Sequence, residues 1–333
     1  MHPRPDDAST RPVVVVLCDG ERPPAERLAP LESRVDLRYV GPAELPVALP
    51  DARALLHWSA PAGTLEAAWS RATRLQWVHY TYAGVDGLLF DALRDSDVVL
   101  TNARGAFDRP MAEYVLAAIL AHAKQLHLTY DLQRARTWER RDTTTVVGST
   151  VLVVGTGSIG RETARLLRAV GMAVRGAGRT ARDADPDFDR VVASSELADH
   201  VGWADHVVLL APLTEATRDL VDEEVIARMK PTAHLVSAGR GLSVDEDALV
   251  AALEGGRLAG ATLDVFRTEP LPSEHPLWTT PGVVVSPHMS GDVVGDEHTL
   301  ARQFADNAQR WLAGEPFRNV VDKQLGFAAP EGP

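Results

Sequence analysis

Apolar, β-branched runs recur along the first third of the chain: VVVVLCDG (13–20), VDLRYV (35–40), ARALLHW (52–58), LQWVHYTYAG (75–84) and VVLTNA (98–103). Helical or Pro-rich stretches separate them, such as TLEAAWSRATR (64–74). Strands alternating with helices at this spacing predict a parallel sheet, and hence a first α/β domain of roughly a hundred residues.

The stretch MAEYVLAAILAHAKQLHLTYDLQRARTW (111–138) follows, with Asp108 as its expected N-cap and Pro110 in its first turn. Its apolar positions predict one long helix, too long for a routine crossover and placed to link two domains. A second alternation runs through TVLVVGTGSIG (150–160), MAVRGAG (172–178), HVVLLAP (206–212), AHLVSAG (233–239), LAGATLDVF (258–266) and VVVSPH (283–288). Six strands is the doubly wound number. The segment EHTLARQFADNAQRWLAGE reads as a helix and GEPFRNVVD as a closing extended piece; with no new sheet to join, this tail is expected to pack back on the first domain. The Pro-rich ends are expected to be disordered.

Charge narrows the partners. A net charge of −12 repels a phosphate backbone, and no Lys/Arg block offsets it locally, so neither nucleic acid nor an anionic membrane is expected. Cys18 is the only cysteine, which rules out an intrachain disulfide and a cysteine-rich metal site, and it reads as a buried core thiol. The N-terminus has no apolar core of signal-peptide length and no window approaches a membrane span, so the cytoplasm is the expected location.

Gly155, Gly157 and Gly160 form G-x-G-x-x-G directly after the strand VLVV and before the amphipathic ETARLLRAVG. In such a strand–turn–helix the first glycine permits the tight turn, the second admits a pyrophosphate, and the third allows close helix–strand packing. Thr156, Ser158 and Ile159 complete the loop, which is expected to seat a dinucleotide. The second strand of the motif ends at Gly178, where an Asp or Glu for the adenosine ribose would stand, and Arg179, Thr180 and Arg182 come next. An acid there accepts from the ribose 2′-OH and repels a 2′-phosphate, whereas a small residue followed by arginine does the reverse. Gly178 is expected to leave room where the acid would stand, and NADP(H) is therefore expected over NAD, although two arginines on a solvated loop are also common.

Three segments hold the reactive side chains of the second half: SAGRG with Arg240, DVFRTEP with Asp264 and Glu269, and SPHMSG with His288. Each lies just past a predicted parallel strand, at the edge where open α/β sheets bind ligands. Taken singly, each has a plain explanation: a surface charge, a loop acid before Pro270, a core imidazole.

Taken together, with GTGSIG, LLAPLTEATRDLVD, MKPTAHLVSAGRG, LDVFRTEPLPSEHPLW and VSPHMSG in this order, they resemble the D-isomer-specific 2-hydroxyacid dehydrogenase family over about residues 75 to 320. The resemblance implies an α/β fold with a Rossmann-type doubly wound sheet for the cofactor and a smaller flavodoxin-like substrate domain built from both chain ends. The expected boundaries are 1–102 with 299–333, and 103–298.

It further implies that Arg240 clamps the substrate carboxylate and carbonyl, that His288 is the general acid/base with Glu269 paired to it, and that Asp264 lies near the nicotinamide. Ala211, Pro212 and Thr217, Ala238 and Gly239, and Ser290 and Gly291 match cofactor-facing positions. Ser237 departs from the Asn often found there, which leaves its local packing in question. Reduction of a 2-keto acid leaves negative charge on oxygen, so the site needs a proton donor and a cation for the carboxylate, roles that His288 and Arg240 suit. A carboxylate beside the imidazole favours its proton-loaded form.

YAGVD (82–86) resembles the family's substrate loop, with Gly84 and Val85 as candidate backbone donors and Trp58 and Tyr82 as candidate pocket walls. No metal is expected, since His288, Asp292, Asp296 and His298 fall at no convincing ligand spacing. The leading expectation is an NADPH-preferring reductase of small keto acids such as glyoxylate or hydroxypyruvate. Two others stay open: a dinucleotide-sensing corepressor-like protein, and a formate or phosphite dehydrogenase of the same fold. A homodimer is expected through the helix from Met111.

Overall fold

The structure, a computed structural model, describes residues 11–328. The Pro-rich ends, expected to be disordered, lie outside the described residues. The chain divides into two compact units, one running to Ala106 and resuming at Val293, the other Phe107–Asp292. The boundaries expected after residues 102 and 298 stand a few residues from these.

In the first unit β1 (Val13–Leu17), β2 (Asp36–Val40), β3 (Ala52–His57), β4 (Trp77–Tyr80) and β5 (Val99–Asn102) form one sheet in the order β2-β1-β3-β4-β5. Every neighbouring pair is parallel. Both faces are covered, which is why these strands read as continuous apolar runs. Alternate side chains go to opposite cores: Val15, Leu17, Leu55 and Val78 to one, Val14, Val16, Leu56 and Trp77 to the other. The helix Asp296–Ala313 belongs to the second of these cores, where Trp77 stacks on Phe304 at 5.1 Å and lies near Trp311 and Phe317. The tail packs back on this unit as expected and adds a small hairpin that the sequence did not suggest. Its strands β13 (Val321–Asp322) and β14 (Phe327–Ala328) pair with each other, and Val320 bridges Thr101.

In the second unit β6 (Thr150–Val154), β7 (Ala173–Gly178), β8 (Val191–Ala193), β9 (His206–Leu209), β10 (His234–Ser237), β11 (Gly260–Leu263) and β12 (Val283–Val285) form a parallel sheet ordered β12-β11-β10-β9-β6-β7-β8. This is the doubly wound order with one strand more than the six expected. The addition, β8, is a three-residue strand at the sheet edge behind the acidic run DADPDFD, too short and too one-sided to show in a hydrophobic pattern.

The single long helix is also corrected. Asp108–Ala123 is one helix, with Asp108 its first residue rather than its cap, and Leu126–Arg134 is another. Gln125, in the left-handed region at φ 49°, separates them. Among the described residues no helix is long and apolar enough to cross a membrane.

Candidate active site

Because the second sheet is parallel throughout, the C-terminal ends of its strands share one edge, and the segments leaving that edge carry the chemistry. The fingerprint leaves β6. Gly155 has φ 111°, and a Cβ there would stand 2.7 Å from Ala211 N, so the turn runs against the strand-end backbone. A Cβ on Gly160 would stand 1.9 Å from Gly155 O, so the helix Ser158–Ala169 packs directly on the turn. A Cβ on Gly157 would meet nothing within 4 Å. The middle glycine therefore faces open space at a helix N-terminus, a cradle that fits a pyrophosphate. Ala211 and Pro212 leave β9, and Ala238 and Gly239 leave β10, at the same edge.

Thr217 follows in the loop after β9. Its hydroxyl donates to Pro212 O at 2.7 Å and accepts from Thr214 N at 2.8 Å, so it closes the loop on itself.

At the end of β7 the glycine does not leave room, as the sequence had led us to expect. A Cβ on Gly178 would stand 2.8 Å from Thr156 Oγ1 and 3.4 Å from its Cγ2, and one on Gly176 would stand 2.8 Å from the same Cγ2. The Thr156 side chain lies where a ribose-binding acid would begin. Arg179 and Thr180 follow, exposed.

Arg182 departs from the expected phosphate-binding role. Its Nε donates to Asp185 Oδ2 at 3.1 Å, Nη2 lies at ion-pair distance from the same oxygen, and its backbone is bridged to Val191. Asp185 is held from the other side by Arg161 at 2.9 and 3.0 Å. Desolvation pushes the Asp185 carboxyl up, but the Arg161 hydrogen bonds and charge, aided by the Asp187 amide and Arg182, outweigh it and hold the group below the usual carboxylate range. Such a buried acid keeps its cations.

Glu269 and His288 are brought together: Glu269 Oε2 lies 2.8 Å from His288 Nδ1, while Oε1 accepts from Phe266 N at 2.9 Å. One carboxylate oxygen is thus fixed to its own loop and the other to the imidazole, and Nε2 is left to face a reactant. Arg240 follows β10, next to β11 in the sheet, and its Nη1 donates to Gly239 O at 2.9 Å. The adjoining turn lies hard against the next loop, since a Cβ on Gly241 would stand 1.9 Å from the Phe266 carbonyl carbon.

Asp264 leaves the end of β11. It is 0% exposed, and its carboxylate accepts from Ser286 Oγ at 2.6 Å, Met289 N at 3.0 Å and Ser290 N at 2.9 Å. Its oxygens hold the loop that carries His288. Gly291 closes that loop beside Phe107. Ser237, where the family often has Asn, is fully buried, and its Oγ has no hydrogen-bond partner.

In the first unit, the Tyr82–Asp86 loop is pinned by Asn102 Nδ2 donating to Ala83 O at 2.5 Å and Ala103 N donating to Tyr82 O at 3.2 Å. Gly84 is half-buried, the Val85 side chain is buried, and the Tyr82 ring is 50% exposed. Trp58 is corrected: it is 8% exposed and belongs to the core with Val16, Leu28 and Leu56, so its ring is core and not a pocket wall. Sequence reasoning missed Tyr114 and Ser286, whose oxygens lie 2.5 Å apart. Ser286 stands inside the SPHMSG segment without a distinguishing pattern, and Tyr114 looks like any helix residue.

Comparison with known proteins agrees with this geometry. Residues 116–290 match the family described as D-isomer specific 2-hydroxyacid dehydrogenase, NAD binding domain. A relative from Chromohalobacter salexigens, (S)-sulfolactate dehydrogenase, is 35% identical over 231 residues, covering 69% of this chain and 75% of that protein. The crystal structure of a D-isomer specific 2-hydroxyacid dehydrogenase from Xanthobacter autotrophicus Py2, in complex with NADPH and MES, is similar with a TM-score of 0.80 and 31% identity, over 94% of this chain and 99% of that one. That of an NADPH-dependent glyoxylate/hydroxypyruvate reductase from Sinorhizobium meliloti, in complex with NADP and sulfate, is similar with a TM-score of 0.80 and 27% identity, over 96% and 100%. On these matches the chain belongs to the D-isomer-specific 2-hydroxyacid dehydrogenase family and is an NAD(P)-dependent enzyme.

Proposed function

We propose that the protein is an NADPH-preferring reductase of small 2-keto acids such as glyoxylate or hydroxypyruvate, acting through Arg240, Glu269 and His288. The observation that carries this reading is the 2.8 Å contact between Glu269 and His288 Nδ1. With Nδ1 taken, Nε2 is the atom that passes a proton to the substrate oxygen as negative charge develops there. Arg240 supplies the planar cation for the carboxylate and the polarised carbonyl. Gly84, Val85 and Tyr82 of the first unit are the further proposed substrate contacts. The bound dinucleotide, held by residues 155–160, supplies the hydride.

NADPH preference is supported by three features: no acid stands at the end of β7, Arg179 comes next, and both structural relatives above are described with NADPH or NADP. Arg179 and Thr180 are the proposed partners of the 2′-phosphate. We also propose a homodimer. It is supported by apolar side chains on and beyond the helix Leu126–Arg134, where Leu126, Leu128 and Tyr130 are exposed and Trp138 is 96% exposed. A cytoplasmic setting is consistent with Cys18 as a single buried thiol.

The test is a panel of 2-keto acids, including glyoxylate, hydroxypyruvate and sulfopyruvate, assayed with NADPH and with NADH. Preferred turnover of a small keto acid with NADPH is expected. Cofactor binding without turnover of any of them would instead indicate a dinucleotide-sensing protein.

A further inference from the structure

His288 holds an unusual backbone conformation. Its φ of 52° lies in the left-handed region, which a residue with a Cβ keeps only when its surroundings over-determine it. Those surroundings converge on one residue. Asp264 O accepts from His288 N at 2.8 Å, and the Asp264 carboxylate accepts from Ser286 Oγ, Met289 N and Ser290 N at 2.6 to 3.0 Å.

The chain of hydrogen bonds has one more member. Tyr114, on the helix Asp108–Ala123, places its hydroxyl 2.5 Å from Ser286 Oγ. The direction of the chain follows from proton counting. Ser286 Oγ donates its single proton to Asp264 Oδ1, so Tyr114 O–H must be the donor to Ser286 Oγ. Burial supports this, pushing the Tyr114 phenol up to about 12 with the Asp264 charge in the same direction and the Ser286 contact opposing, so the proton stays on it. Successive donors in one chain strengthen one another.

We propose that Tyr114 is a positioning residue for His288, acting through Ser286 and Asp264 without touching the substrate. The proposal rests on the reading of His288 as proton donor. Tyr114 orients the Ser286 hydroxyl, the hydroxyl and two amides fix the segment 286–290 on Asp264, and that segment aims the imidazole at Glu269 and at the reactant. A phenylalanine at 114 keeps the ring and its packing but leaves Ser286 Oγ without its donor, so the segment loosens.

The test compares the full-length protein with Tyr114→Phe in two ways. In turnover, kcat should fall about five- to tenfold, the worth of one hydrogen bond. KM for the keto acid and Kd for NADPH should stay within about twofold of wild type, because neither substrate nor cofactor loses a contact. Ser286→Ala should give a similar fall and the double variant no further one, since both cut the same chain. In nitrogen-15 histidine spectra of the protein without substrate, the His288 ring signal, identified by its loss in His288→Gln, should move while those of buried His79 and His234 stay. An unchanged kcat overturns the proposal, as does a fall in kcat matched by weaker binding of substrate and cofactor, which marks general loosening. If Tyr114→Phe does not fold, Ser286→Ala is read by the same measurements. If the wild type reduces no 2-keto acid, the proposed function fails separately, and the His288 signal alone decides: an unmoved signal overturns the positioning role.

Discussion

Thr156 fills the space that a ribose-binding acid at position 178 would need, its Oγ1 standing 2.8 Å from where the first side-chain carbon would be. Both branches of the threonine lie within 3.4 Å of that point, so turning a stiff β-branched side chain about its first torsion replaces one branch with the other. Inserting an acid there is therefore not a one-residue change. Gly178→Asp with Arg179→Ala should bind both cofactors poorly, and adding Thr156→Ala should turn the preference to NADH. One charge-assisted hydrogen bond lost and one repulsive charge gained correspond to roughly ten- to a hundredfold in selectivity. Arg182→Ala should leave NADPH affinity near wild type, because that guanidinium is engaged by Asp185. kcat/KM for NADPH and NADH with one keto acid checks all of these, and a wild type that prefers NADH would sink the reading.

Arg240→Ala should remove most turnover and leave NADPH binding nearly intact. Its guanidinium is assigned to the substrate, and its Nη1 donates to the neighbouring Gly239 carbonyl. Fluorescence titration with NADPH alongside the assay separates the two effects. A collapse of NADPH affinity would reassign Arg240 to the cofactor.

His288→Ala should lower reduction by about a hundred- to ten-thousandfold, the range general acid–base groups supply. Glu269→Gln keeps the shape of the 2.8 Å contact but removes its charge. Loss of a charge-assisted hydrogen bond should lower kcat by roughly ten- to a hundredfold and leave Kd for NADPH near wild type. An unchanged kcat would show that the pair plays no part in proton delivery.

Several histidines are buried without charge. Desolvation pushes His57 and His206 down to about 4 and His79 to about 3, and holds His234 well below 6.5. Unfolded, each takes a proton near 6.5, so between these values the unfolded chain binds more protons than the folded one. Stability is therefore full above about 6.5 and is lost as pH falls toward 4. His79→Asn can still meet Thr101 Oγ1, the partner of His79 Nδ1 at 2.8 Å, and should flatten part of the fall. Melting temperature against pH for the two proteins is the check; identical slopes would exclude His79 as a source.

Light scattering at micromolar concentration should give a mass twice the 36.0 kDa of one chain. Replacing Tyr130 and Trp138 by Glu should return it to the single mass. A monomeric wild type would mean that the apolar side chains of this segment are not a self-contact.

The strands were legible because both faces of each sheet are covered, so Val13–Leu17 or Val151–Val154 read as unbroken apolar runs. What lay at an edge was not: Val191–Ala193 has one neighbouring strand and three residues in which to show itself. The break at Gln125 was hidden because Lys124, Gln125 and Leu126 all favour helix, and only backbone geometry shows the left-handed turn. Glu269 and His288 could be paired in advance because each sits in a motif of fixed order. Tyr114 and Ser286 are 172 positions apart and neither stands out in its own segment, so their contact has no signature along the chain. Gly178 misled for a related reason, since a glycine in a sequence looks like space until the neighbour that fills it is seen.

The stacking of Trp77 on Phe304 has a consequence for how the protein is made. On the ribosome the first five strands emerge with one aromatic face uncovered, because Phe304, Trp311 and Phe317 have yet to be synthesised. Synthesis at about 5 to 20 residues per second makes that wait on the order of ten seconds or more. Meanwhile the second unit, uninterrupted from Phe107 to Asp292, emerges whole and has every strand of its own sheet. The order of folding therefore inverts the order of translation: the middle of the polypeptide is finished first, and its beginning must wait for its end.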